Sequence, residues 1–410
     1  MSEPRMPVAA VFGLGATQIV GYGTLYYAFS ILVPDIARDI GRSESWVFGA
    51  FSVALLIGGL AAPIAGRLAD RHGAGRVLSV GSLAAALSLV LAAVVPGAFA
   101  FAAALVTIEV VSTTVLYATA FTAIVQAGGA TARRSITHLT LIAGFASSLF
   151  WPLTAWLHGF LGWREVYLVF ALLNLVICLP IHLALMKLTR RVAQPEPQMK
   201  ASGVAEPVLA PGPLVFTLML AGFAIEGYAL SAMLVHMVPL TQALGLGGAG
   251  LVIAALFGPA QVASRLINLV FGRDLRQVWL AVIAAALLPV GIAVLLAATG
   301  APSGPWLPGA VLFAICMGLG SGLTSIVGGT LPLELFGAKG YGRLMGWSTA
   351  AKQVAAALAP LGMSLSLERF GTTPSLLIIA ATGLVGTLAF AAIPLVAEPR
   401  IRHRTMGASG

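Results

Sequence analysis

The chain has 410 residues, of which 59% are hydrophobic and 9% charged, and its mean hydropathy is +0.97. A soluble domain carries roughly 25% charged residues, so this chain lacks the charge to cover a water-facing surface, and one membrane anchor would not shift the average this far. The net charge of +9 falls in short gaps between apolar runs, without a basic patch interleaved with aromatics; this excludes nucleic acid and points to the lipid bilayer.

Apolar runs that meet the roughly 20 residues needed to cross a hydrocarbon core lie at 8–33, 46–68, 76–95, 98–126, 136–160 and 163–186, then at 213–238, 247–270, 276–299, 306–331, 342–366 and 373–396. The runs are continuous, not alternating, and too long for barrel strands, so they read as helices. The expected fold is an all-α membrane protein of twelve transmembrane helices in two sets of six. Residues 1–7 hold one Arg and one Glu before a run too long for a cleavable leader.

In chain order, the first helix carries Gln18, Tyr22 and Tyr26 at a spacing of four, one polar face. The loop after the second helix reads Gly66-Arg-Leu-Ala-Asp70-Arg71-His-Gly73-Ala-Gly-Arg76. Asp70 ends a helix there, placed to pair with Arg133 or Arg134 or to cap the N-terminus of a helix from the other half, where an anion is favoured. Glu109 falls near the middle of the fourth helix and Glu226 near the middle of the seventh. Gln261, Arg265 and Asn268 form one stripe on the eighth, and Lys352 lies ten residues into the eleventh, about 15 Å deep at 1.5 Å per residue. The segment 187–212 is polar, with Lys187, Arg190, Arg191 and Lys200 among prolines, and reads as a linker between halves 1–186 and 213–410.

Orientation follows from the basic residues. With the N-terminus inside, seventeen of the 23 Lys and Arg fall in cytoplasmic segments, four (Arg38, Arg42, Arg164, Arg369) fall outside, and Arg265 and Lys352 lie within helices. The positive-inside rule therefore puts both termini in the cytoplasm.

The Gly66–Arg76 loop resembles the signature loop of the major facilitator superfamily, as do the six-plus-six layout and the central linker. A weaker echo, Phe271-Gly272-Arg273-Asp274-Leu-Arg276, falls where a parallel-repeat half should repeat that loop. Within the superfamily the chain is most similar to bacterial members near the monocarboxylate and oxalate–formate branch. Gly21-Tyr-Gly-Thr-Leu-Tyr-Tyr-Ala-Phe29, Gly162-Trp-Arg164 and Glu334-Leu-Phe-Gly337 carry that likeness. The resemblance implies a multi-pass inner-membrane transporter working by alternating access. Helices one, four, seven and ten would line its cavity, and the loop residues Gly66, Asp70, Arg71, Gly73, Arg76, Arg133 and Arg134 would gate the cytoplasmic side.

A charge inside a membrane usually faces a cavity or a partner. Arg265 offers a planar fork of donors suited to a carboxylate, with Lys352 as a second anion ligand, and Tyr22, Tyr26, Gln18, Gln261 and Asn268 complete the expected substrate set. Glu109 and Glu226 are candidates for carrying a coupling proton. Salt bridges with Arg265 or Lys352 are the structural alternative for the carboxylates.

The sequence holds no Gly-rich loop ending in Lys-Ser/Thr, no HExxH and no GxSxG, which leaves neither ATP-driven transport nor a membrane enzyme favoured. Cys178 and Cys316 have no metal spacing, and no cofactor is called for. The expected partners are a small-molecule substrate, the bilayer, and a proton or counter-solute, handled by a monomer. A small organic anion is favoured; efflux of toxic solutes such as arsenicals, other metalloids or drugs is the alternative.

Overall fold

Twelve helices follow one another in the computed structural model, which describes residues 6–190, 209–210, 212–246, 249–272, 274–300 and 306–399. They are α1 (Val8–Asp39), α2 (Glu44–His72), α3 (Ala74–Val94), α4 (Ala98–Gly128), α5 (Ala132–His158), α6 (Trp163–Leu188), α7 (Pro213–Ala243), α8 (Ala249–Phe271), α9 (Gln277–Thr299), α10 (Leu307–Phe336), α11 (Tyr341–Phe370) and α12 (Thr372–Val396). Ten are long and apolar enough to cross a membrane on length and composition alone. The other two are α8, apolar over Ala255–Phe271, and α11. These two helices carry Arg265 and Lys352.

Most of the sequence 187–212, with Arg5, Arg273 and the basic residues from Arg400 onward, lies outside the described residues. The short piece Leu209–Ala210 pairs antiparallel with Glu398–Pro399. The first helix runs six residues beyond the expected end at 33, through Pro34 to Asp39. Its polar end is held by side chains of α5 and α6, Asp35 pairing with His158 and Asp39 with Arg164, while Arg38 pairs with Asp35 within α1. Ser43 caps α2 by accepting the Trp46 N–H at 3.2 Å, which satisfies one of the donors orphaned at a helix start.

Buried apolar side chains gather within α1–α6 around Phe101, Phe150 and Phe170, and within α7–α12 around Phe313 and around Phe390. A further cluster joins Phe121 and Ile136 to Tyr341 and Met345 across the two sets. It sits at the end of the bundle where Asp70, Arg71, Arg76, Arg133, Arg134, Arg276, Lys339 and Arg343 gather, called here the basic end.

Among the described residues, four helices are interrupted. The first and sixth contain five-residue π turns, Gly23–Tyr27 and Asn174–Cys178, joined where Asn174 Nδ2 donates to Thr24 Oγ1 at 3.0 Å. The fourth breaks at Leu116, whose backbone is extended at φ −86°, ψ −170°. The fifth breaks at Gly144–Phe145. Interruptions of this kind leave backbone groups free of the helical ladder, and in membranes they occur where protein or a cavity can take up those groups.

Candidate functional site

A cavity of about 400 Å³ lies between the two sets of helices. Its wall on one side is formed by Tyr22, Tyr26 and Tyr27 of α1, Glu109, Ser112 and Tyr117 of α4, and Gly144 of α5. On the other side stand Gln261 and Arg265 of α8, Ser321, Thr324 and Ser325 of α10, and Lys352 and Gln353 of α11.

The stripe on α8 is held in register by α10. Gln261 Nε2 donates to Ser321 Oγ at 2.7 Å, and one turn on Arg265 Nε donates to Ser325 Oγ at 3.0 Å. The two helices approach closely because Gly318 and Gly322 have no side chain. A Cβ at Gly318 would meet Ala260 and the Phe257 carbonyl, and one at Gly322 would meet Ser264 and the Gln261 carbonyl.

Arg265 is 4% exposed, and its Nη1 has no hydrogen-bond partner. The guanidinium reaches across to α5, where a Cβ on Gly144 would overlap Nη1. The break at Gly144 thus makes room for the cation. Glu226 is buried, and its Oε1 accepts the Thr324 hydroxyl. Lys352 is half-buried and feels the charges of both Glu226 and Arg265. Among the described residues the ion pairs are Arg38–Asp35, His158–Asp35 and Arg164–Asp39, all at the end opposite the basic one. The salt bridges open as an alternative for Arg265, Glu109, Glu226 and Lys352 are therefore not formed in this state.

Across the cavity Glu109 is 2% exposed, and its Oε1 has no partner. Four tyrosines, Tyr22, Tyr26, Tyr27 and Tyr117, line the same side of the cavity. Tyr22 lies against Tyr117 with ring centroids 4.7 Å apart, and Tyr26 meets Tyr27 edge-on at 5.4 Å. The π turn adds one residue to the ordinary helical turn, and with it Tyr26 and Tyr27 both line the cavity.

Two residues of the expected substrate set do not line it. Gln18 is fully buried, and its Nε2 donates at 2.9 Å to the carbonyl of Val115, freed by the break in α4. Asn268 is half-buried towards the basic end, close to Gly272.

The expected gating residues stand at the basic end. The Asp70 carboxylate accepts the N–H groups of Gly342 at 2.8 Å and Arg343 at 2.7 Å, capping α11. Of the alternatives open for Asp70, the cap is the one formed. Gly66 lies so close to α11 that a Cβ would strike the Gly342 carbonyl, and Gly73 turns α2 into α3 at φ +85°, a conformation that needs glycine. Arg133 donates to the Leu275 carbonyl at 2.6 Å and the Gly272 carbonyl at 3.4 Å, closing α5 onto the α8–α9 turn. Arg71, Arg76 and Arg134 are exposed and take no hydrogen-bond or ion-pair partner among the described residues.

Several lining residues escaped the sequence reading: Tyr27, Tyr117, Gly144, Ser321, Thr324 and Ser325. A signal existed for two of them. Ser321 and Ser325 repeat the spacing of Gln261 and Arg265 exactly one parallel helix pair away, as matched polar stripes do. At the basic end Gln126 was also missed; it accepts the Ala74 N–H at 2.9 Å and donates to the Ala69 carbonyl at 3.0 Å, clamping the α2–α3 turn.

The family profile described as Major Facilitator Superfamily matches residues 15–360. No curated protein sequence matches the chain significantly. Among solved structures it is similar to the human organic anion transporter MFSD10 (TETRAN), with a TM-score of 0.70 at 15% identity, covering 93% of this chain and 98% of that one. It is also similar to the proton:xylose symporter XylE bound to 6-bromo-6-deoxy-D-glucose, with a TM-score of 0.67 at 14% identity over 93% of this chain and 95% of that one. The transporter FucP in the outward conformation gives 0.66 at 13% identity, covering 93% and 98%. At these identities the likeness is one of fold.

Proposed function

The chain belongs to the major facilitator superfamily, and from that premise we propose that it is a proton-coupled secondary transporter moving a small organic anion by alternating access. The observation that carries the anion is Arg265, a buried cation with an unpartnered nitrogen and no carboxylate within ion-pair distance. A charge at membrane depth costs at least ~2.5–3.5 kcal/mol on insertion scales. Where the protein supplies no counter-charge, a substrate carboxylate is the natural one, and a guanidinium fork suits it. Lys352 lines the same cavity and adds a second positive group. This supports a place near the monocarboxylate and oxalate–formate branch.

Glu226 and Glu109 are proposed to carry the coupling proton, because each is buried in or beside the substrate cavity without a cation paired to it. The halves 1–186 and 213–410 would rock about the cavity. The charge bias supports an inner-membrane orientation with the basic end and both termini in the cytoplasm. Closure at Asp70 and Arg133 then corresponds to a state shut towards the cytoplasm. One chain builds the whole cavity, so a monomer suffices.

The hydroxyls of Ser321, Thr324 and Ser325 favour one second reading, efflux of a small hydroxylated toxicant such as a metalloid hydroxide. Reconstituted protein separates the two. Uptake of radiolabelled formate, oxalate and lactate into liposomes under an inward proton gradient should be saturable, and Arg265→Gln should lower it more than tenfold. Anion flux equal to that of empty liposomes, with export of an uncharged metalloid intact, overturns the anion reading.

A further inference from the structure

We propose that the interrupted fourth helix supplies an oxyanion subsite opposite Arg265. A substrate carboxylate would be held there by the Ala118 N–H and the Tyr22 hydroxyl on one half and by the guanidinium on the other. The inference rests on the anion reading and deepens it, because it names which backbone groups meet the anion.

The break at Leu116 starts a new helix, Tyr117–Gly128, of 12 residues, and no side chain caps it. The first donors of a helix have no partner within it and carry its positive end. Here the N–H groups of Thr119 and Ala120 fold back to the Leu116 carbonyl at 3.1 and 3.2 Å. The Tyr22 ring packs against the Tyr117 ring with centroids 4.7 Å apart, and both residues line the cavity. The Ala118 N–H has no acceptor among the described residues. Leu116, Tyr117 and Ala118 all line the cavity.

The second, independent feature comes from the other half of the chain. Arg265 is 4% exposed, its Nη1 has no partner, and its charge is felt at the Tyr117 side chain. A helix start and a guanidinium thus meet in one cavity, both suited to negative charge, and no protein carboxylate fills the place. Glu109 lies seven residues back along α4, about 10 Å at 1.5 Å per residue, and Glu226 is engaged by Thr324. Broken helices that aim their N-termini at anionic groups are a known solution in membrane transporters of other folds. An anion in this position would bridge the two halves, which ties occupancy to closure.

The test places a competing cap in the break. An Asp at the residue before the helix accepts the first free N–H groups and brings its own negative charge. Leu116→Asp should therefore raise KM for the carboxylate about tenfold or more. Leu116→Asn, a neutral cap, should fall between. Ala118→Pro deletes one donor at a position where a first turn tolerates proline, and Tyr22→Phe deletes one hydroxyl from a ring that keeps its packing. Each should raise KM about fivefold with kcat little changed. Should Leu116→Asp fail to reach the membrane, Ala118→Pro and Tyr22→Phe carry the test.

The outcomes separate the two ideas. Parental KM in Leu116→Asp, Ala118→Pro and Tyr22→Phe, with transport lost in Arg265→Gln, overturns the subsite and leaves the anion reading standing. No carboxylate transport by the parent protein means that the anion reading itself fails, and the subsite with it.

Discussion

The carboxylate of Asp70, at the end of α2, accepts the main-chain N–H of Arg343, 273 residues later in the chain, at 2.7 Å and thereby caps the start of α11. The cap also takes the Gly342 N–H at 2.8 Å, so both carboxylate oxygens are used. An anion at a helix start contributes about 0.3–1 kcal/mol beyond its hydrogen bonds. Asp70→Asn removes that charge and turns an amide NH₂ towards one of the two donors, a mismatch costing about 1–3 kcal/mol. Transport should fall several-fold while membrane insertion stays normal, measured as uptake normalised to protein in the membrane. Undiminished transport would remove the gating role.

Gly144 and Arg265 form a second cross-half contact, and it makes a sharper prediction. A Cβ at position 144 would overlap Nη1 of the guanidinium. Gly144→Ala should displace the guanidinium from the cavity wall and weaken carboxylate binding about tenfold, at little cost in stability because the helix there is already interrupted. Substrate-induced thermal shift reads the affinity; the melting temperature without substrate reads the stability. An unchanged shift would mean that the guanidinium position does not matter to binding.

Glutamine keeps the shape of glutamate and removes its proton chemistry. Glu226→Gln retains an oxygen for the Thr324 hydroxyl, so the fold around it should survive. Substitution of the coupling carboxylate should leave exchange of substrate between equal concentrations intact and abolish uphill accumulation driven by a pH gradient. The comparison of Glu226→Gln with Glu109→Gln identifies which residue couples. If both variants still concentrate substrate when the gradient is imposed, neither carboxylate carries the proton.

The twelve spans were legible because bilayer thickness sets a length and an apolar requirement that few other structures meet. The polar stripe of α8 was legible for a related reason: in an apolar helix three polar residues on one face must have a partner, and Ser321 and Ser325 supply it for two. The break at Leu116 was not. Neither Leu116 nor Tyr117 is a helix breaker, and the interruption is upheld from outside by Gln18 on the Val115 carbonyl. Spacing alone assigned Gln18 to the same face as Tyr22 and Tyr26. It could not reveal that another helix had a free carbonyl waiting for that amide. The long polar stretch 187–212, by contrast, was read from composition, and most of it lies outside the described residues.

The paired π turns of α1 and α6 place a constraint on chain length. An ordinary helix advances by about 100° per residue, so each added residue rotates the remainder of its helix by that much. Deleting one residue from Gly23–Tyr27 would let α1 close into a regular helix and swing its far end by about a quarter turn. Asp35 and Asp39 would then leave His158 and Arg164. Deleting one from Asn174–Cys178 would rotate α6 away from Thr24. This part of the protein should therefore tolerate changes of side chain more readily than the loss of a single residue from either helix.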